Sequence, residues 1–494
     1  MAELDRRSVL AWLGGTALGV GAAGLTGTAL AAATQRPEAG SVTVLTGATV
    51  VDGTGASPMR EAVIVTAGER ILAVGRIADI PAIAGVRVID LGGKFVVPGL
   101  WDLHTHSSEV DRTYPPMHLV YGVTGIREMR GTAETHEVRR RIDSGELTGP
   151  SMVISSEVLD GPDSRNPLSI PIETEDDARR AVEAATSQGA DLIKVYSFMQ
   201  HHQHAFIARH ADRAGLRFGG HSPSPMPVQD VLDNGQHSVE HNYGMHLSTS
   251  TRRAEYFAQI AQMPDDAADP GWWGAQVPWL EREALDTYSA RLATELADQF
   301  AAQGAWHVPT LAVEYATSRH PAQLFDDPRL RELMQRFMPS AIREEWRQWV
   351  DAWPPWTPER EALERKYFDA KLEIVGDMAD AGGPVVTGTD CGVAFVFPGL
   401  AVHDELELLV RAGLSPMRAL QAATRDAARC AGQGEYTGTV AAGKRADLVV
   451  LDADPLADIT TSRRIHAVMA RGTYLGPAER RRIFDEIEQV AQTT

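Results

Sequence analysis

The sequence predicts an α/β protein: a (β/α)8 TIM barrel carrying a composite β-sandwich domain built from both chain ends. Three observations predict it. Short β-rich stretches fill Ser41 to Val97 and return near the C-terminus, and neither set alone makes more than a marginal sheet. Between them, from Pro98 to Cys430, eight apolar strand candidates alternate with helical stretches. Histidine, lysine and aspartate residues stand at the ends of several of those strands, where a barrel gathers its functional groups. The 494 residues are 44% hydrophobic and 23% charged, which leaves room for a large core and excludes disorder. A formal charge of −19, from 66 acidic and 47 basic residues, speaks against nucleic acid or an anionic membrane as partner. Two cysteines, Cys391 and Cys430, exclude a disulfide scaffold and a cysteine-rich zinc module.

The chain opens with Asp5-Arg6-Arg7-Ser8-Val9-Leu10 and a weakly apolar Gly/Ala-rich run to about Leu30, followed by small residues through Ala33. This resembles a twin-arginine signal peptide over 1–33, which implies export to the periplasm or beyond and no stable membrane span after processing. Gly14, Gly15, Gly19, Gly21 and Gly24 weaken the alternative, a spanning helix. Because the segment carries no net charge, its removal leaves the charge at −19. Twin-arginine export carries folded proteins, often with a cofactor already loaded.

Next come β-rich pieces at Val42–Leu45, Ala62–Val65, Ile71–Val74 and Val86–Ile89, separated by Asp-Gly, Ala-Gly and Gly-Gly turn signals. Gly438–Val440, Ala446–Leu451 and Ile465–Met469 repeat this texture. The expected organisation pairs 41–97 with 431–478 in one sandwich, with a barrel over 98–430 inserted between them and a C-terminal helix over 479–494. Expected barrel strands are Leu100–Leu103, Gly125–Arg127, Met152–Ile154, Leu192–Val195, Leu216–Gly219, Ser238–Glu240, Trp306–Leu311 and Pro384–Thr387. Residues 245–378 exceed what two β/α units need and hold eight of the ten tryptophans. Trp346, Trp349 and Trp353 share a helical face, either as a lid packing its own core or as a wall of a substrate pocket. Lid and oligomer interface both stay open for this region, and so does a homo-oligomer.

The chemistry starts at Leu100-Trp101-Asp102-Leu103-His104-Thr105-His106. Residues two apart on a strand point the same way, so His104 and His106 can converge on one ion. Lys194, His221, His241 and Asp390 end later strands. His106 to Lys194 is 88 residues, Lys194 to His221 is 27, and His221 to His241 is 20. At about 31 residues per β/α unit these are three, one and one units. His241 to Asp390 is 149 residues, two units plus the tryptophan-rich excess. All six therefore fall at one barrel end, on strands 1, 4, 5, 6 and 8. Tyr196 follows Lys194 by two and faces the same side, either as a contact to a substrate carbonyl or as a rim aromatic. Arg127, His307 and Thr310 also end strands, where substrate contacts are expected; Arg127 suits either a substrate carboxylate or a structural salt bridge. His201, His202 and His204 read as a solvated helix face, and His237 as structural or supporting. Nothing requires Cys391 to ligate.

These residues, with Tyr121-Gly122-Val123-Thr124, Leu414–Thr424 and Gly438–Val449, resemble the amidohydrolase superfamily of metal-dependent hydrolases, in its imidazolonepropionase-like and Xaa-Pro dipeptidase-like branch. The likeness spans nearly the whole mature chain. It implies two divalent metal ions, zinc by ligand type. His104, His106 and Asp390 would hold one, and His221 and His241 the other. Lys194, carboxylated by CO2, would bridge both. It further implies a shared hydroxide as nucleophile, with Asp390 as general base and then acid. The expected reaction is hydrolysis of an amide bond in a small molecule, a dipeptide or N-acyl amino acid. Ester, lactone, phosphotriester and cyclic amide hydrolysis are the alternatives. Ser222-Pro223-Ser224-Pro225 and Asn242-Tyr243-Gly244 depart from the family pattern on pocket loops, so no relative's substrate carries over.

Overall fold

The computed structural model describes residues 42–76, 86–107, 110–164, 166–263 and 270–493. The expected signal over 1–33 lies outside them. Among the described residues no helix is long and apolar enough to cross a membrane.

Strands from both chain ends form one mixed sheet. The N-terminal set is β1 (Val42–Val50), β2 (Met59–Ala67), β3 (Arg70–Arg76), β4 (Arg87–Asp90) and β5 (Phe95–Pro98). After the barrel strands β6 to β13, the C-terminal set is β14 (Leu448–Leu451), β15 (Ile465–Ala470) and β16 (Thr473–Leu475). The order is β16-β15-β14-β5-β1-β2-β3, with β4 also on β1. β5, absent from the strands expected by sequence, is the seam. It runs parallel to β1 at Thr49↔Phe95 and antiparallel to β14 at Leu448↔Pro98. Apolar residues cover both faces. Leu45, Ile64, Leu448 and Met469 share one cluster, and Val44, Val63, Val65 and Ala73 another. The expected strand at Gly438–Val440 does not form. Gly438 sits at φ 89°, and the Val440 N–H donates to the Asp52 carbonyl at 2.9 Å.

The middle of the chain is a barrel of parallel strands in sequence order: β6 (Leu100–Thr105), β7 (Val123–Glu128), β8 (Ser151–Asp160), β10 (Leu192–Val195), β11 (Arg217–Gly220), β12 (Ser238–Glu240) and β13 (Trp306–Val308). A two-residue β9 (Ile170–Pro171) pairs β8 off this path. Only the first three residues of the stretch expected at Trp306–Leu311 are strand; Leu311 opens a helix. The eighth position is a looser segment. It bridges β13 at His307↔Val385 and β6 at Thr105↔Cys391, and the Asp390 N–H donates to the His104 carbonyl at 2.8 Å. Trp101, Leu103, Val153, Leu192, Val308 and Val386 fill an inner cluster that includes Ala427 and Ala428 of the short helix Arg425–Cys430.

The long excursions are helical. Helices Met245–Ser248, Arg253–Gln262 and Pro270–Ala284 follow β12, and helices from Leu311 through Pro358–Asp380 follow β13. Trp346 is buried, and its ring meets Phe395 at 5.2 Å and Phe397 at 6.1 Å. Trp349 stacks on Trp353 and on Phe395. These tryptophans thus brace the loop after Asp390. Helix Pro477–Thr493 closes the chain and buries Ile483 and Ile487 in a cluster with Phe337 and Met117.

Candidate metal centre

His104 ends β6, and its Nδ1 lies 3.0 Å from Glu240 Oε2 on β12. That contact orients the ring and directs Nε2 to Asp390 Oδ1 at 3.5 Å. His106 Nε2 lies 3.2 Å from the same oxygen, and one ligand atom from each of the three residues lies within 4.8 Å of the others. Beside them, His241 stacks on both His104 and His221, with ring centroids 4.7 Å apart in each case. His221 Nδ1 is tied to Ser197 Oγ and His241 Nδ1 to Thr310 Oγ1, both at 2.7 Å. In His104, His221 and His241 the far ring nitrogen is therefore occupied and the near one is left for the site, as metal-binding imidazoles require.

Three rim residues adopt left-handed backbone without being glycine: His241 at φ 63°, Thr310 at φ 47° and Asp390 at φ 60°. Each such residue costs about 1 kcal/mol or more and persists only where its surroundings enforce it. Here the strain aims groups into the barrel mouth.

Lys194 is 1% exposed on β10, and its Nζ has no hydrogen-bond partner among the described residues. Burial depresses the ammonium to about 8, against the pull of Glu240 and Asp390. Burial and the Lys194 charge hold His104 and His221 well below the usual imidazole range, so both are neutral and able to ligate. Burial pushes Asp390 up, but the His106 hydrogen bond and the charges of His241, His106 and Lys194 leave it below the usual carboxylate value. The six residues expected at one barrel end are thus brought together by the fold.

The expected substrate contacts are placed differently. Arg127 is fully committed inside the barrel. Its Nε donates to the Leu103 carbonyl at 2.7 Å, Nη1 to Ser238 Oγ at 3.0 Å, and Nη2 to Glu240 Oε1 and Oε2 at 2.7 and 2.9 Å. It holds the carboxylate that orients His104 and has no donor left for a substrate carboxylate. His307 is wholly buried, with Nε2 on the His241 carbonyl at 2.9 Å. Thr310 is equally buried and spends its hydroxyl on His241. Both position His241 from behind. Tyr196 does reach the open side: its ring lies 4.0 Å from that of His221, and burial pushes its hydroxyl up to about 12.

His201 and His202 are exposed as expected, but His204 is buried, with Nε2 on Gln236 Oε1 at 2.8 Å. Gln236 in turn donates to the carbonyls of Gly220, His221 and Ser238. His237 bonds the Cys430 carbonyl, away from the centre. Cys391 is buried 3.8 Å from Asp102 Oδ2, and Asp102 already accepts from the Thr389 hydroxyl and N–H. Sequence reasoning missed Glu240. Its signal was an acid inside a three-residue barrel strand, directly before a candidate ligand.

A cavity of about 390 Å³ adjoins His221 and Tyr196. Tyr243, Leu247, Val277, Pro278, Tyr367 and Phe368 supply most of its apolar wall. The insertions after β12 and β13 provide these residues, while the barrel itself carries the ligand candidates.

Residues 361–475 match the Amidohydrolase family. The chain is 45% identical to an imidazolonepropionase from Pseudomonas entomophila over 51 residues, 10% of this chain and 13% of that protein. It is 34% identical to the imidazolonepropionase of Thermoplasma volcanium over 107 residues, 22% of this chain and 25% of that one. The chain thus matches a quarter or less of the length of these relatives. Likeness in structure is broader. A Bifidobacterium longum protein assigned as a prolidase superposes with a TM-score of 0.64 at 25% identity, covering 90% of this chain and 99% of that one. The bottromycin amidohydrolase shares the fold with a TM-score of 0.71 at 24% identity, covering 92% and 91%. A Xaa-Pro dipeptidase with bound methionine shares it at 0.62 and 17%, covering 88% and 100%. Residues 361–475 thus resemble the Amidohydrolase family, and a barrel-and-sheet plan like that of the Bifidobacterium longum protein extends along nine-tenths of the chain.

Proposed function

We propose that this protein is an exported, binuclear metal-dependent amidohydrolase that cleaves the amide bond of a dipeptide or N-acyl amino acid. One observation carries the reading. Four imidazoles and a carboxylate gather around a buried lysine amine that has no hydrogen-bond partner among the described residues. An unpartnered buried ammonium is costly; once it has given up a proton, which burial favours, the neutral amine could add to CO2 and release a second proton, leaving a carbamate as an anionic oxygen ligand. The donor set fits divalent ions, zinc by ligand type: neutral nitrogens, carboxylate oxygens and tied far nitrogens. His104, His106 and Asp390 would hold one ion, His221 and His241 the other, and carboxylated Lys194 both. When bound, such ions supply Lewis acidity, which lowers the pKa of water and polarises a carbonyl.

The chain's own residues do the rest. Asp390 holds a proton acceptor at Oδ1, turned to the mouth by its left-handed backbone. It takes the proton of the attacking water and returns it to the departing amine. Tyr196 stands over His221, where its hydroxyl can donate to the substrate oxygen as charge develops. The Glu240–Arg127 pair keeps His104 from turning. The Arg6-Arg7 segment fits export after the metals are loaded.

Metal analysis of the purified protein should give close to two ions per chain, and Lys194→Ala should lose at least one. A panel of dipeptides, N-acyl amino acids, lactones and phosphotriesters tests the reaction. Full metal retention in the variant, or turnover of non-amides alone, would sink the assignment. Replacing Arg6 and Arg7 by lysine should trap the precursor in the cytoplasm; unchanged export would remove that part.

A further inference from the structure

We infer that Glu281 makes the cavity beside the metal centre a receptor for an ammonium group, so that the preferred substrate carries a free amine next to an aromatic or bulky apolar group. This deepens the amide-hydrolase reading and rests on it. The cavity wall carries five charged residues: Glu281, Glu314, Glu364, Arg282 and Lys371. Both cations are spoken for. Lys371 Nζ pairs with Glu314, and Arg282 Nη2 pairs with Glu364 Oε2 at 2.5 Å. Both also lie over the Tyr367 ring, at 4.2 and 4.6 Å from its centroid.

Glu281 is the acid left over. It is 4% exposed, and its Oε1 accepts the Gly244 N–H. Its Oε2 has no hydrogen-bond partner among the described residues. The nearest imidazole nitrogen, His246 Nδ1, is 3.9 Å away. Burial pushes His246 down to about 3, so it stays neutral and brings no charge. Burial pushes the Glu281 carboxyl up to about 7, only partly offset by the Gly244 N–H and the charges of Lys371 and Arg282, so above neutral pH it is an under-compensated carboxylate that a ligand cation would relieve. Tyr196 and Tyr243 add aromatic faces, which attract an ammonium and also suit a flat apolar group. A substrate carboxylate would find no unpaired cation among the described lining residues and would be repelled by Glu281. Arg127, the cation sequence reasoning offered it, is locked to Glu240. Selection thus combines an attraction with a built-in repulsion.

The test is calorimetric titration of the full chain, above neutral pH, with phenethylammonium, N-acetylphenethylamine and 3-phenylpropanoate. The ammonium should bind at least ~10-fold tighter than the carboxylate, as a charged hydrogen bond in a buried site predicts. In Glu281→Gln, which keeps the acceptor for Gly244, that preference should shrink to within about threefold. Tyr243→Ala, which removes a 43% exposed ring packed beside His221 and His241, should weaken all three probes and the ammonium most. Equal binding of the carboxylate, or a preference untouched by Glu281→Gln, would overturn the inference. Binding with this preference but no turnover of any amide would overturn the hydrolase reading instead.

Discussion

The second and fourth barrel strands each bury a cation, Arg127 on β7 and Lys194 on β10, both 1% exposed. Their surroundings differ completely. Arg127 spends its donors on the Leu103 carbonyl, Ser238 and both oxygens of Glu240. Lys194 spends none. A saturated buried ion pair is built into a fold and strongly destabilises it when halved. An unsaturated buried amine is tolerated at a cost, which points to a partner that the protein chain does not itself supply. The same contrast separates Arg282 and Lys371, which are paired, from Glu281, which is not.

The largest effect should come from halving the saturated pair. Arg127→Met strands Glu240 in the barrel and should cost about 3–5 kcal/mol by denaturant titration. A loss under 1 kcal/mol would mean Glu240 is protonated and the pair is not ionic. Lys194→Met should do the opposite in metal-free protein, leaving stability unchanged or higher because an unpartnered charge is removed. With metal supplied, the same variant should lose amide hydrolysis by about a thousandfold or more. If Arg127→Met and Lys194→Met destabilise the metal-free protein alike, the contrast fails.

A smaller effect sharpens the comparison at the ligands. Thr310→Val removes the hydroxyl that orients His241 and should weaken metal affinity by about 10–100-fold, read by competition with a chelator. The mildest test uses ordinary buried histidines. Burial pushes His403 and His246 down to about 3 in the folded chain, against 6.5 unfolded. The unfolded chain therefore binds more protons as pH falls below 6.5. Stability from these groups is complete above that value and is lost on acidification towards 3, at up to ~1.4 kcal/mol per pH unit for each histidine. His403→Gln should flatten the fall in melting temperature between those limits; an unchanged slope would place the acid sensitivity elsewhere.

The six candidate ligands were legible because a strand end followed by His, Lys or Asp is a local pattern, and because the β/α repeat sets where those ends recur. Their number along the chain already implied one barrel mouth. The roles of Arg127, His307 and Thr310 were not legible. Arg127 meets Glu240 across 113 positions of sequence, and Thr310 meets His241 across 69. Such partners are chosen by barrel closure, not by neighbours. His204 was misread for the same reason: its helix face looks polar, and only packing against Gln236, Asn234 and Phe218 buries it. β5 was also overlooked, since a four-residue strand ending in proline becomes central only when both chain ends arrive beside it.

What the sequence by itself determined is the periodic plan: alternating strands and helices, β-rich ends too small to stand alone, and ligand-competent residues at fixed intervals. These follow from side-chain periodicity and chain length, which are local properties. Only the tertiary structure decided which charges are spent and which are left over. Arg127 and Lys194 look alike in sequence, both cations at strand ends. Whether a buried charge finds a partner depends on groups that closure brings within about 3 Å, and in a low-dielectric interior that distance separates a paired cation from an unpaired one.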